Sequence, residues 1–107
     1  MFNLFKADKA SQINSLRKRY GEGVVNFHSF LGQKLILCSD KVIIDDMIRK
    51  VFVSYLEISS VNIEPTGLKI HTTSGKKYDV PIISNLEKIA GEIMDLRNAY
   101  LLKTKLK

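Results

Sequence analysis

Seven short apolar runs separated by turn residues, followed by one long amphipathic stretch, predict an α+β fold that is mainly β. Three observations carry this expectation. The runs between residues 24 and 82 are rich in β-branched and aromatic side chains, which suit a pleated surface. The connections between them are short, and short connections join antiparallel neighbours. After the last run, Ile89, Ile93, Leu96 and Tyr100 recur at spacings of four, three and four, which puts them on one face of a helix.

Residues 7–20 are expected to form a first helix: Ile13, Leu16 and Tyr20 share a face, and Gly21 and Gly23 end it. The period then changes to two. The first strand is expected over residues 24–30 with Val25 and Phe27 on one side, and Gly32-Gln33 turns it into residues 34–38. Ser39-Asp40 turns the chain into residues 41–44, and Asp45-Asp46 turns it into residues 48–55, since these side chains bond their own backbone. A fifth strand over 58–64 presents Ile58, Val61 and Ile63, with Asn62 and Glu64 facing away. Pro65-Thr66-Gly67 is a turn with proline presetting φ and glycine free to take positive φ. Leu68, Ile70 and Thr72 share one face of a sixth strand, and Ser74-Gly75-Lys76 leads into a seventh with Tyr78, Val80 and Ile82 inward. Pro81 marks an edge or a strand end. Ser84 and Glu87 have the spacing of a capping box, which opens a helix from Asn85 to about Leu106, some 22 residues. Such a helix is ~33 Å long.

This strand order, with segments such as Lys34-Leu35-Ile36-Leu37-Cys38-Ser39-Asp40-Lys41-Val42-Ile43-Ile44, Val53-Ser54-Tyr55-Leu56-Glu57-Ile58-Ser59-Ser60-Val61, Leu68-Lys69-Ile70-His71 and Ser74-Gly75-Lys76-Lys77-Tyr78, resembles the pleckstrin-homology-like (PH-like) fold, in particular the small bacterial PH-like domains. The resemblance spans about residues 24–98. It implies a seven-stranded antiparallel sandwich or barrel closed by a long C-terminal helix, here with an extra N-terminal helix. Two features depart from lipid-binding PH domains. Their first two strands carry a lysine-then-K/R-x-R pattern where this chain has only Lys34, and their closing helix tends to hold a tryptophan, which this chain lacks. An inositol-phosphate site therefore does not follow.

At 107 residues the chain reads as one domain, divided into a helical extension (1–23), a β body (24–83) and a closing helix (84–107). No apolar run approaches the ~20 residues of a bilayer span, and Lys6, Asp8 and Lys9 follow Met1 to Phe5 too closely for a secretory signal. Cys38 is alone, sits among apolar neighbours and reads as a small core residue in a reducing cytoplasm. The formal charge of +6 is uneven: residues 1–19 and 97–107 each carry a net +4, and the middle carries −2. Basic ends suit nucleic acid, an anionic membrane or an acidic protein, and equally suit plain solubility.

No catalytic constellation stands out. His28 and His71 have no ligand-type residue at metal spacing, and Asp40, Asp45 and Asp46 read as turn formers before they read as a cation site. Gly21-Glu22-Gly23 and Gly75-Lys76 lack the remaining glycines of phosphate loops. The expectation is thus a non-enzymatic interaction module with no cofactor, metal or small-molecule substrate. Its partner- or self-binding residues would be Ile13, Leu16, Tyr20, Tyr100, Leu101, Leu102 and Leu106, because the last helical turns overhang a body of this size. The first helix covering that overhang within the same chain is an equal alternative. A further alternative is a cytoplasmic, membrane-peripheral module that meets anionic lipid through Lys6, Lys9, Arg17, Lys18, Arg19, Arg97, Lys103, Lys105 and Lys107, with Phe2 and Phe5 as a weak anchor. Nucleic acid is disfavoured, because no strand interleaves aromatic and basic residues.

Overall fold

The computed structural model describes residues 8–82 and 84–105. The chain is α+β and mainly β, in the order α1 (Lys9–Tyr20), β1 (Val24–Phe30), β2 (Gln33–Cys38), β3 (Lys41–Asp45), β4 (Lys50–Ser54), β5 (Ile58–Glu64), β6 (Gly67–Thr72), β7 (Lys77–Val80) and α2 (Leu86–Lys105). The strands form two antiparallel sheets, β1-β2-β3-β4 and β5-β6-β7, which do not close into one barrel.

The apolar runs of β2 and β3 are continuous because the first sheet is covered on both faces. Leu35, Leu37, Val42, Ile44 and Val53 face inward, where they share a core with Leu68, Ile70 and Val80 of the second sheet and with Ile89 and Ile93 of α2. The alternate residues Ile36, Cys38 and Ile43 face outward, joining Val24, Phe27 and Leu16 in a second core on which Ile13 and Tyr20 pack. The Ile13–Leu16–Tyr20 stripe thus lies on the sheet. The second sheet has a wet outer face, where Lys69 lies 3.5 Å from Glu64 and 3.6 Å from Asp79. On the inner side of the edge strand β1 a polar seam replaces apolar contact: Glu92 of α2 accepts from Asn26 Nδ2 at 2.7 Å and lies 2.7 Å from His28 Nε2.

Several boundaries differ from the sequence reading, each for a local reason. A register shift between Val24 and Asn26 makes Val24 and Phe27 the buried residues of β1 and leaves Val25 exposed. A second shift between Ile58 and Ser60 lets Ile58 be buried and Val61 pack on the same core three residues later, while Ile63 is half exposed. The fourth strand starts at Lys50 rather than at residue 48, because Asp46 Oδ1 accepts from the N–H groups of Ile48 (3.1 Å) and Arg49 (2.8 Å) and holds them in a turn. Helix α1 starts one residue after Asp8, whose carboxylate accepts from Ser11 N–H at 2.7 Å. Helix α2 starts at Leu86, and the first helical carbonyl to be used is that of Asn85, which accepts from Ile89 N–H at 2.9 Å. Ser84 and Glu87 are therefore out of step with a capping box by one residue.

Two buried positions set stringent local requirements. Gly67 has φ +141°, and a Cβ there would stand 2.3 Å from the Val80 carbonyl oxygen and 3.0 Å from Ile82 N. Gly67→Ala is expected to cost more than about 1 kcal/mol, read as a lowered Tm; an unchanged Tm would contradict the close approach of β6 to the end of β7. Tyr55 is fully buried and donates its hydroxyl to the Cys38 carbonyl at 2.7 Å. Burial first, then the nearby Cys38 and Asp40, push the phenol above its ordinary value of 10.0. A raised phenol makes its full contribution below pH 10.0 and loses it as pH climbs further. Tyr55→Phe is expected to cost about 1 kcal/mol at neutral pH and to make the alkaline loss of stability shallower. An unchanged alkaline slope would assign that loss to other groups.

Candidate interaction surface

The C-terminal parts of the two helices border one cleft. Tyr20 and Gly21 at the end of α1, Ser39 to Lys41 at the β2–β3 turn, and Leu96, Tyr100, Lys103 and Thr104 of α2 line a cleft of about 570 Å³. Tyr100 packs against the main core, with its ring centroid 6.1 Å from that of Tyr55. Leu101 is half-buried, whereas Leu102 is 62% exposed. Leu106, Lys6 and Lys107 lie outside the described residues, as do Phe2 and Phe5.

Three of the basic residues at the chain ends are tied into the fold. Lys9 Nζ donates to the Phe27 carbonyl at 3.0 Å and sits 4.9 Å from the centre of the Phe27 ring. Arg17 Nε donates to the Val24 carbonyl at 3.0 Å, and Arg97 Nε to the Ile58 carbonyl at 2.8 Å. These bonds fasten α1 to β1 and α2 to β5. Lys18, Arg19, Lys103 and Lys105 are exposed.

A different surface has no counterpart in the sequence reading. The β1–β2 and β3–β4 turns lie at the same end of the first sheet, because β2 and β3 run antiparallel between them. The turns touch: a Cβ on Gly32 would stand 3.1 Å from Met47 Sδ. Their tips carry Leu31, Met47 and Ile48, which are 90%, 79% and 92% exposed. Phe30 pairs with Gln33 across a two-residue turn, in which Leu31 has φ 45° and Gly32 φ 80°. Two positive φ angles make the tight hairpin turn that asparagine-glycine fills at least cost. Leucine has no local hydrogen bond to offset that conformation. Met47, at φ 76°, is also left-handed. Of the three non-glycine residues with positive φ among the described residues, two are therefore exposed apolar tips.

Behind the tips the surface is basic. Arg19, Lys34 and Lys50 line an open cleft of about 590 Å³ together with Leu31, Met47 and Asp45. Arg49 is exposed beside Ile48 and stands 3.8 Å from Asp46. Both carboxylates of this end are occupied by the turn. Asp45 accepts from Tyr20 Oη at 3.0 Å and from Met47 N–H at 3.1 Å. The Arg49 and Ile48 N–H bonds hold the Asp46 carboxyl below its ordinary range. Such an arrangement presents apolar groups to the outside with cations around them, and it has no nucleophile–base pair.

Among the described residues, no group of three or more His, Cys, Asp or Glu is placed to hold a metal ion. No helix among them is long and apolar enough to cross a membrane. Burial pushes the Cys38 thiol up from its ordinary value, which disfavours the reactive thiolate. No protein-family model matches this sequence, and no curated protein matches it either.

Proposed function

We propose that this chain is a non-enzymatic PH-like interaction module whose working surface is the end of the first sheet that carries the β1–β2 and β3–β4 turns. The order of four strands, three strands and a closing helix supports the PH-like part of this reading. The observation that carries the functional part is the pair of left-handed, solvent-facing apolar residues, Leu31 and Met47. Exposed tips are where polar turn residues cost least, so strained apolar ones serve contact with something outside the chain. A cytosolic setting belongs to the same proposal and is supported by the lone buried thiol of Cys38.

One observation favours a second reading, assembly through the terminal helices: Leu102 is exposed between half-buried Leu101 and the cation Lys103 near the end of α2. Its apolar surface is a single side chain among the described residues there, against three at the hairpin tips.

Leu31→Asn separates a structural from a functional role. Asparagine takes the left-handed conformation more readily, so the variant is expected to be more stable by about 1 kcal/mol. Combined with Met47→Ser and Ile48→Ser, it is expected to weaken retention on a phenyl matrix without lowering Tm. A clear loss of Tm, or unchanged retention, would assign the tips to the fold rather than to a partner.

A further inference from the structure

We infer that this chain self-associates through the outer edge of β4: two copies pair antiparallel about a two-fold axis at Phe52, so that their first sheets run on as one.

The edge is open in the way a ladder needs. Strand β4 is the last of the first sheet and has a neighbour, β3, on one side only. Asp46 N–H donates to the Arg49 carbonyl and Tyr55 N–H to the Asp40 carbonyl, each at 3.2 Å, and these two pairs continue the β3–β4 register at its ends. Bonding alternates along an antiparallel pair. Val51 and Val53 therefore turn their backbone groups towards β3, while Lys50, Phe52 and Ser54 turn theirs outward. The other outer strands are defended against such pairing. Lys9 and Arg17 fill the carbonyls of Phe27 and Val24 on β1, and Arg97 fills that of Ile58 on β5. Strand β7 is short, exposes Lys77 and Asp79, and is followed by Pro81. At the middle of β4 stands Phe52 instead, 54% exposed, with its ring centroid 6.3 Å from that of Tyr20.

Self-complementarity selects a second copy as the occupant. About an axis at Phe52, Lys50 stands opposite Ser54 of the second copy and Phe52 opposite Phe52, so each outward-facing rung meets another. Phe52 N–H then donates to the second copy's Phe52 carbonyl and Ser54 N–H to its Lys50 carbonyl, and symmetry repeats both bonds. The Ser54 carbonyl is already used by Glu57 N–H at 2.9 Å. A slip of one residue would set outward groups against inward ones, and a slip of two would lose a rung. The two Phe52 rings become a cross-strand aromatic pair on the outer face, with a Tyr20 beside each.

Charge and apolar surface follow the same axis. Arg49 and Lys50 at the start of β4 are exposed, and so is Glu57 past its end. Antiparallel alignment carries the basic start of one strand to the Glu57 end of the other, whereas parallel alignment would set like against like. Leu56, 57% exposed just past one strand, comes alongside Ile48, 92% exposed just before the other. Leu31 and Met47 take no part, so the pairing does not depend on the hairpin tips. A five-residue edge covers less than the ~800 Å² per partner of a stable interface, so the dimer forms and dissociates with concentration.

The test is the mass of the full chain by sedimentation equilibrium over a wide concentration range. The wild type is expected to rise from one chain to two. Phe52→Lys sets two ammonium groups against each other at the axis and should raise the dimer dissociation constant by about tenfold or more. Leu102→Ser should leave it unchanged. Register is read by cross-linking: Lys50→Cys and Ser54→Cys proteins, mixed and mildly oxidised, should link to each other and far less to themselves. Opposed positions have Cα atoms about 5.5 Å apart, whereas identical ones would lie ~13 Å apart along the strand, and Cys38 is buried. A single-chain mass at every concentration would overturn the proposal. So would a dimer indifferent to Phe52→Lys or lost with Leu102→Ser, or cross-links with no preference for the mixed pair. Should Phe52→Lys unfold the chain, the mixed cross-link decides alone: its presence supports the β4 pairing and its absence overturns it.

Discussion

A four-stranded sheet with Leu35-Ile36-Leu37-Cys38 and Val42-Ile43-Ile44 at its centre has apolar side chains on both faces, so both faces must be covered before the chain can be stable in water. The inner face is covered by the second sheet and α2, the outer face by α1. Much of the remaining architecture follows from that double demand. Helix α1 needs only a narrow stripe, Ile13, Leu16 and Tyr20, and its basic ends are drawn down onto strand carbonyls by Lys9 and Arg17. Helix α2 packs on the main core from Leu86 to Tyr100 and runs on to Lys105. Glu92 then meets Asn26 and His28 on the inner face of β1, where Phe30 is the residue that packs on the core.

The strands and turns were legible because each has a residue-level cause: Asp46 building its own turn, Gly67 where a Cβ has no room, Pro81 after the last strand. The two register shifts were not, since an extra residue in one strand leaves no mark in the pattern of types. The place of α1 could have been read. Four consecutive apolar residues in a short strand mean two buried faces, and a second face needs a second cover. Length alone pointed to an overhang instead, and so to the ends of the helices.

The candidate surface was missed for a related reason. Ile48 reads as a strand residue because it is apolar, and Leu31 reads as lying at the end of a strand beside the turn glycine Gly32. What the sequence did contain was apolar residues inside turn segments flanked by Lys34, Arg49 and Lys50. The net basic charge lies at the chain ends, yet Lys9, Arg17 and Arg97 hold the helices in place. Charge in a sequence and charge available to a partner are different quantities. The doubly covered sheet gives the tips a rigid base, and the left-handed backbone at Leu31 and Met47 is tolerated because that base over-determines the turns.

The most direct measurement is amide hydrogen exchange of the full chain. The slowest amides are expected in β2 and β3, around Ile36 and Ile43, with rapid exchange at residues 31–32 and 47–48. Fast exchange through β2 and β3 would contradict a sheet covered on both faces.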